Sequence, residues 1–249
     1  MAATKKQKPD IQRCNSLAFF KGLTLFADLA DEEVARFADV SQLKSYKKGQ
    51  ALYLEGDTAE SFYIICSGWL KLSHTTEEGE EVNLAVLTRD SITGESAIFE
   101  EGRFASSAHV VEDAQILSVP LSLLKEQIRL NNQLAFNMLT SMMQYQRRHE
   151  LQLEQYILYS APQRVGCFLL GLCPITEQKD GVKLELPYDK ALIASILGMK
   201  GATFSRALNI LRDETGIRIT GTSVTIASMK CLLEFVDGCY SPPHPPKII

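Results

Sequence analysis

The stretch Lys190-Ala191-Leu192-Ile193-Ala194-Ser195-Ile196-Leu197-Gly198-Met199-Lys200-Gly201-Ala202-Thr203-Phe204-Ser205-Arg206-Ala207-Leu208-Asn209-Ile210-Leu211 decides the fold. Ala191, Leu192, Ile193, Ile196 and Leu197 give a short amphipathic helix that starts at Asp189 and is ended by Gly198. A second helix runs from about Ala202 to Asp213, with Phe204, Leu208 and Leu211 on its buried face. Two such helices joined by a short turn containing Gly form a helix-turn-helix. The outer face of the second shows Lys200, Thr203, Ser205, Arg206 and Asn209, side chains that bond phosphates and base edges. A charged helix face is ordinarily a solvated one. The N-terminal half of a second helix is, however, where recognition helices meet bases, and that placement favours DNA contact.

Working outward, Ile217 to Ile226 alternates around Gly221 and reads as a β-hairpin wing carrying Arg218. Residues 187–230 hold six basic and three acidic side chains in a chain whose net charge is −4, so a modest basic surface sits on an acidic protein. Upstream, Lys183 to Leu186 reads as a short strand, and Pro162 opens a helix to about Leu172. Before that, Gln133 to about Tyr159 contains neither Gly nor Pro. Within it Ala135, Met138, Met142, Tyr145, His149, Leu153 and Tyr156 recur at steps of three or four, the pattern of a coiled-coil seam. A second copy of the same helix is its natural partner, which predicts a parallel homodimer. The competing reading packs this helix wholly on its own domain.

From Ser45 to about Val119 the period shortens to that of strands. Short β-prone runs alternate with turn signals at Lys48-Gly49, Glu55-Gly56-Asp57, Ser67-Gly68, Glu78-Gly79 and Glu101-Gly102, which means a barrel, roll or sandwich. Gly94-Glu95-Ser96-Ala97-Ile98-Phe99 interrupts it. A helix start there would present free backbone N–H groups to an anion; a plain connector is the reading these residues alone favour. Residues 17–40 read as one or two short helices. The expected layout is therefore an α+β chain: a β-roll over 17–120, a dimerisation helix region over 121–159, a winged helix-turn-helix over 160–236 and an extended tail over 237–249.

The whole chain, 249 residues with 45% hydrophobic and 22% charged, excludes disordered, collagen-like and repeat classes. Val165 to Thr176, uncharged and apolar, is too short to cross a bilayer, and the Lys-bearing start leads into no apolar signal core. A soluble, cytoplasmic protein without a membrane partner is expected. Six scattered cysteines without a CxxC pair argue against a disulfide scaffold and a zinc ribbon.

Taken with Phe62 to Gly68, Gly94 to Gly102, the long helix and Leu197 to Arg206, the chain resembles the Crp/Fnr family of dimeric bacterial transcription regulators from about Leu23 to Ile226. The resemblance implies a cyclic-nucleotide-binding-like β-roll, a dimerisation helix and a C-terminal winged helix. It also implies a near-palindromic double-stranded DNA site, RNA polymerase as a partner, and no catalytic activity. Ser205 and Arg206 match the pair that reads the half-site. The family's usual glutamate is Ala202 here, so base preference should be relaxed or altered at that pair.

The implied effector pocket comprises Gly94, Glu95, Ser96, Ser106, Ser107, His149 and Glu150. Cyclic-nucleotide-binding members need an Arg-Ser pair where Ser106-Ser107 stands, and Arg103 sits three residues early; without that guanidinium the charge-assisted bonds to a cyclic phosphate are lost. His149-Glu150 also replaces the Thr-Ser pair that touches the base. An effector other than cyclic AMP is expected. Only Cys14 lies where the oxygen-sensing branch clusters its thiolates, which speaks against an iron-sulfur cluster. Leu186 to Lys190 and the Thr-Phe-Ser-Arg helix look closest to the denitrification regulators that sense nitric oxide through haem. His149 and His109 are then the candidate axial ligands, each weighed against a purely structural role. Two alternatives stand beside this reading: a cupin-like small-molecule- or metal-binding enzyme, and an effector-independent regulator whose roll is a scaffold.

Overall fold

The computed structural model describes residue 14 and residues 16–173, 181–186, 190–221 and 223–236. The Pro-rich tail, His244 and the Asp189 helix start lie outside these residues. Two compact units divide between Gln144 and Tyr145, inside the long helix.

The first unit opens with α1 (Leu17–Lys21), whose N-cap Ser16 accepts from Phe19 N. A 3-10 turn (Thr24–Phe26) and α2 (Asp31–Val40) follow, and the Glu33 carboxylate reaches back to accept from Ala30 N at 2.9 Å. Then come β1 (Gln42–Tyr46), β2 (Ala51–Tyr53), β3 (Ser61–Thr75), β4 (Glu81–Leu87), β5 (Ile92–Thr93), a second 3-10 turn (Glu95–Ile98), β6 (Ser107–Pro120) and α3 (Leu121–Leu130). The strands pair antiparallel in the order β1-β6-β3-β4, with β2 against β6 and β5 against β3. Phe20, Phe26 and Phe37 meet edge to face at 5.2 and 5.0 Å, and with Phe62, Ile64, Ile65, Leu70, Ile116 and Leu117 they fill the roll. Each such side chain contributes about 1.5–3 kcal/mol on burial.

One expected turn, Ser67-Gly68, is absent as a turn, and one expected break between runs, after Val111, is bridged. Residues 61–75 form one strand and 107–120 another, where short separate runs were expected. The Ser67-Gly68 signal marks β-bulges in the β3–β6 ladder, so the strand bends through the glycine instead of reversing.

The long helix α4 (Asn132–Leu158) begins on this unit. Asn137 Nδ2 donates to the carbonyls of Leu25 and Ala27 at 3.1 and 2.7 Å, and Leu134 and Met138 are buried in the roll's core.

The second unit holds the rest of α4, then α5 (Ala161–Gly171), β7 (Val182–Glu185), α6 (Lys190–Ile196), α7 (Gly201–Thr215), β8 (Arg218–Thr220), β9 (Ser223–Ile226) and α8 (Met229–Phe235). Ser160 and Gln163 form the capping box that starts α5. The sheet order is β7-β9-β8, all antiparallel. Val165, Ile193, Phe204, Leu211, Ile217, Val224, Ile226 and Leu232 form its core, as the apolar spacing of α6 and α7 requires.

Candidate nucleic-acid interface and sensor pocket

Helix α7 presents two faces of opposite chemistry. Phe204, Ala207, Leu208, Leu211 and Thr215 are buried, while Ala202, Thr203, Ser205, Arg206 and Asn209 are exposed on its first three turns. Helix geometry brings residues 202, 205, 206 and 209 onto one stripe. Lys200 is exposed but stands one residue before the helix, as its N-cap, where the sequence had placed it on the helix face. Arg218 is exposed on β8 and Arg212 is turned to Asp213 at 3.1 Å. Every predicted DNA-facing side chain is therefore free to meet a ligand, within a single unit.

The turn before α7 is held from behind. Tyr156 Oη donates to the carbonyl of Ile196 at 2.6 Å and Arg164 Nη1 to that of Leu197 at 2.9 Å. Sequence reading had put Tyr156 on the dimer seam, and this is a correction. Met138 is corrected likewise, since it is buried in the roll's core. A helix that packs on its own domain on one side must turn its free face elsewhere. The large apolar residues of α4 left exposed are Phe136, Leu139, Met142, Met143, Tyr145, Leu153, Ile157 and Leu158, among them three of the expected seam residues, Met142, Tyr145 and Leu153. His149 lies partly buried on this helix with its ring 4.3 Å from that of Tyr145, and Glu150 accepts from Gln146 Nε2 at 3.1 Å.

In the roll, Tyr53 lies among Tyr63, Thr93, Phe104 and, of the predicted pocket residues, Ser106. Its ring stacks on Phe104 at 3.9 Å and on Tyr63 at 5.6 Å, and its hydroxyl bonds to Thr93 Oγ1 and reaches the Ser106 side chain. Ser107 Oγ accepts from Glu55 N at 3.0 Å. Gly94 lies directly beneath Phe104, and Glu95 and Ser96 begin a 3-10 turn only four residues long. Arg103, the nearest cation in sequence, donates to the Gly56 carbonyl at 2.7 Å. The aromatic cluster was missed in the sequence because Tyr53 was read only as part of a strand. No local signal marks it, because Tyr53, Tyr63 and Phe104 come from separate stretches of chain.

Glu95 is partly accessible as a residue, but its carboxyl is enclosed, and that desolvation raises its pKa against a smaller opposing backbone hydrogen bond. A raised carboxyl pKa favours folding below the ordinary carboxylate value and loses that contribution as pH climbs through the shifted one. Glu95→Gln should therefore raise the melting temperature of the roll at neutral pH and leave it unchanged in acid; equal melting curves at both would refute the enclosure.

His109 Nδ1 is buried with no hydrogen-bond partner. Glu55 instead accepts from His74 Nδ1 at 2.7 Å, on the surface. Among the described residues no group of three or more His, Cys, Asp or Glu is arranged to hold a metal ion.

Comparison with known proteins follows the same division. Residues 43–131 match the cyclic nucleotide-binding domain and residues 163–235 the Crp-like helix-turn-helix domain. The chain is 28% identical to the cyclic AMP receptor protein of Thermus thermophilus over 88% of its own length and 99% of that protein. It is 25% identical to a CRP-like cAMP-activated global transcriptional regulator of Mycobacterium tuberculosis, over 84% and 94%. A Ruegeria pomeroyi protein named for cyclic nucleotide binding superposes with a TM-score of 0.64 at 26% identity, covering 89% of this chain and 97% of that one. These relatives are regulators and not enzymes, which leaves the cupin-like alternative without support. With a nucleotide-binding-type roll before a Crp-like helix-turn-helix, the chain belongs to the Crp/Fnr family of transcription regulators.

Proposed function

We propose that the protein works in the cytoplasm as a homodimer that reads a near-palindromic duplex through paired α7 helices, under control of an effector that is not cyclic AMP. The observation that carries the DNA half is the exposed stripe of Ser205, Arg206 and Asn209 on the first turns of α7, flanked by Lys200 and Arg218. The exposed apolar residues of α4 support the dimer, because a stripe of this kind needs a covering surface and a second α4 matches it. Two-fold symmetry then spaces the half-sites about ten base pairs apart. Selection from a randomised duplex pool should return inverted half-sites at that spacing, bound by a dimer in sedimentation. Unrelated or direct-repeat sequences would overturn the reading. RNA polymerase is the partner that the family resemblance implies.

The roll's own geometry supports a different effector. Ser106 and Ser107 are engaged with Tyr53 and Glu55 N, and Arg103 is turned to Gly56, so a cyclic phosphate finds no matched guanidinium. A ligand present at a hundred times its Kd raises stability by about 2.7 kcal/mol; cyclic AMP is expected to produce no such rise in the melting temperature.

Haem is the second reading, favoured by the orphaned nitrogen of His109. His109 fits an axial role better than His149, which stands on α4 against Tyr145. Bound haem would supply an iron centre for nitric oxide, and His109 would hold it. A haem absorption band present in the wild type and lost in His109→Ala supports this; identical spectra of the two exclude it.

A further inference from the structure

Helix α6 ends with two carbonyls, those of Ile196 and Leu197, and side chains from two other helices take both. Tyr156 Oη donates to Ile196 O at 2.6 Å, and Gln152 Nε2 donates to Tyr156 Oη at 2.7 Å and to Ile196 O at 3.3 Å. Arg164 Nη1 donates to Leu197 O at 2.9 Å, and its guanidinium lies over the Tyr156 ring, 5.3 Å from the centroid. Gly198, the next residue, has φ +62°, and a Cβ there would lie 3.2 Å from the Tyr156 ring. The last turns of α4 therefore grip the segment that sets the angle between α6 and α7.

Helix C-terminal carbonyls are satisfied by water as readily as by side chains. Three converging donors on two adjacent carbonyls fix a backbone direction, which water does not do. Base contacts require side chains held within about 0.5 Å, whereas phosphate contacts tolerate more. We propose that Tyr156, supported by Gln152 and Arg164, is a positioning residue for sequence reading: it sets the pose of the recognition helix through the Ile196 carbonyl without touching DNA. This rests on the DNA-binding reading above.

The test is Tyr156→Phe, which removes one hydroxyl and keeps the ring beside Gly198 and Arg164. Affinity for the selected duplex and for a scrambled duplex is measured at fixed salt, well below the melting temperature. One hydrogen bond of ordinary strength corresponds to about a five-fold change. The specific affinity should fall by about that factor while the scrambled-duplex affinity and its salt slope stay unchanged, and amide exchange at Leu197 to Lys200 should quicken. Gly198→Ala, which pushes the turn against the same ring, should narrow the specific-to-scrambled ratio in the same direction. A lower melting temperature with an unchanged ratio in both variants would make Tyr156 a structural residue only and overturn the proposal. Failure of the wild type to prefer any duplex would instead overturn the DNA-binding reading, and the proposal with it.

Discussion

Gly68→Ala is expected to destabilise the β-roll by about 3 kcal/mol, the sum of a left-handed backbone cost of roughly 1–2 kcal/mol for a residue with Cβ and an overpacking cost of roughly 1–3 kcal/mol. Gly68 has φ +86°, and an added Cβ would stand 2.5 Å from Asp113 O, 2.6 Å from Ala114 Cα and 2.7 Å from Ala114 Cβ. All of these belong to β6, the central partner of β3, so nothing flexible can yield. Gly49 serves as the control: it has φ +88° and open space around it, so alanine there should incur only the backbone part. Trp69, the chain's single tryptophan, adjoins the bulge, and its fluorescence during urea unfolding reports on this unit. Equal midpoints for the two variants would show that the ladder at Gly68 is looser than its contacts require.

The same glycine explains how far the fold was legible. Ser67-Gly68 carries the chemistry of a turn, and local chemistry does not distinguish a chain that reverses from one that bends while its neighbour stays paired; the deciding contact, Asp113 and Ala114, lies 45 residues or more away. Helices α6 and α7 were readable because their apolar spacing and Gly198 are local. The exposed apolar face of α4 was readable only in part. A three-four spacing fits several stripes of one helix, and which stripe is free depends on what the helix's own domain covers: Asn137 tied to Leu25 and Ala27 selects the buried side and takes Met138 with it. The exposed face of α7 followed from helix periodicity, except at Lys200, which stands before the helix as its N-cap. The sensor pocket was not, since Tyr53, Tyr63, Glu95 and Phe104 come together from separate stretches of chain.

The largest functional effect is expected at Arg206. Arg206→Ala should weaken binding to the selected duplex by about 1–3 kcal/mol and blur the base preference at one position of each half-site. The side chain is exposed in the second turn of α7, beside Ser205 and clear of the Phe204 and Leu208 core, so its removal leaves the fold intact. Lys200 supplies the contrast. It is also exposed but precedes the helix as its N-cap, and if it meets a phosphate its loss should weaken all duplexes alike and lower the salt slope by about one. Ala202 completes the pattern, because a methyl group in place of a carboxylate cannot accept from cytosine N4; the pair it faces should be selected loosely or for another base. If Arg206→Ala and Lys200→Ala change binding in the same way, with equal losses on selected and scrambled duplexes, α7 holds DNA by charge alone and base reading lies elsewhere.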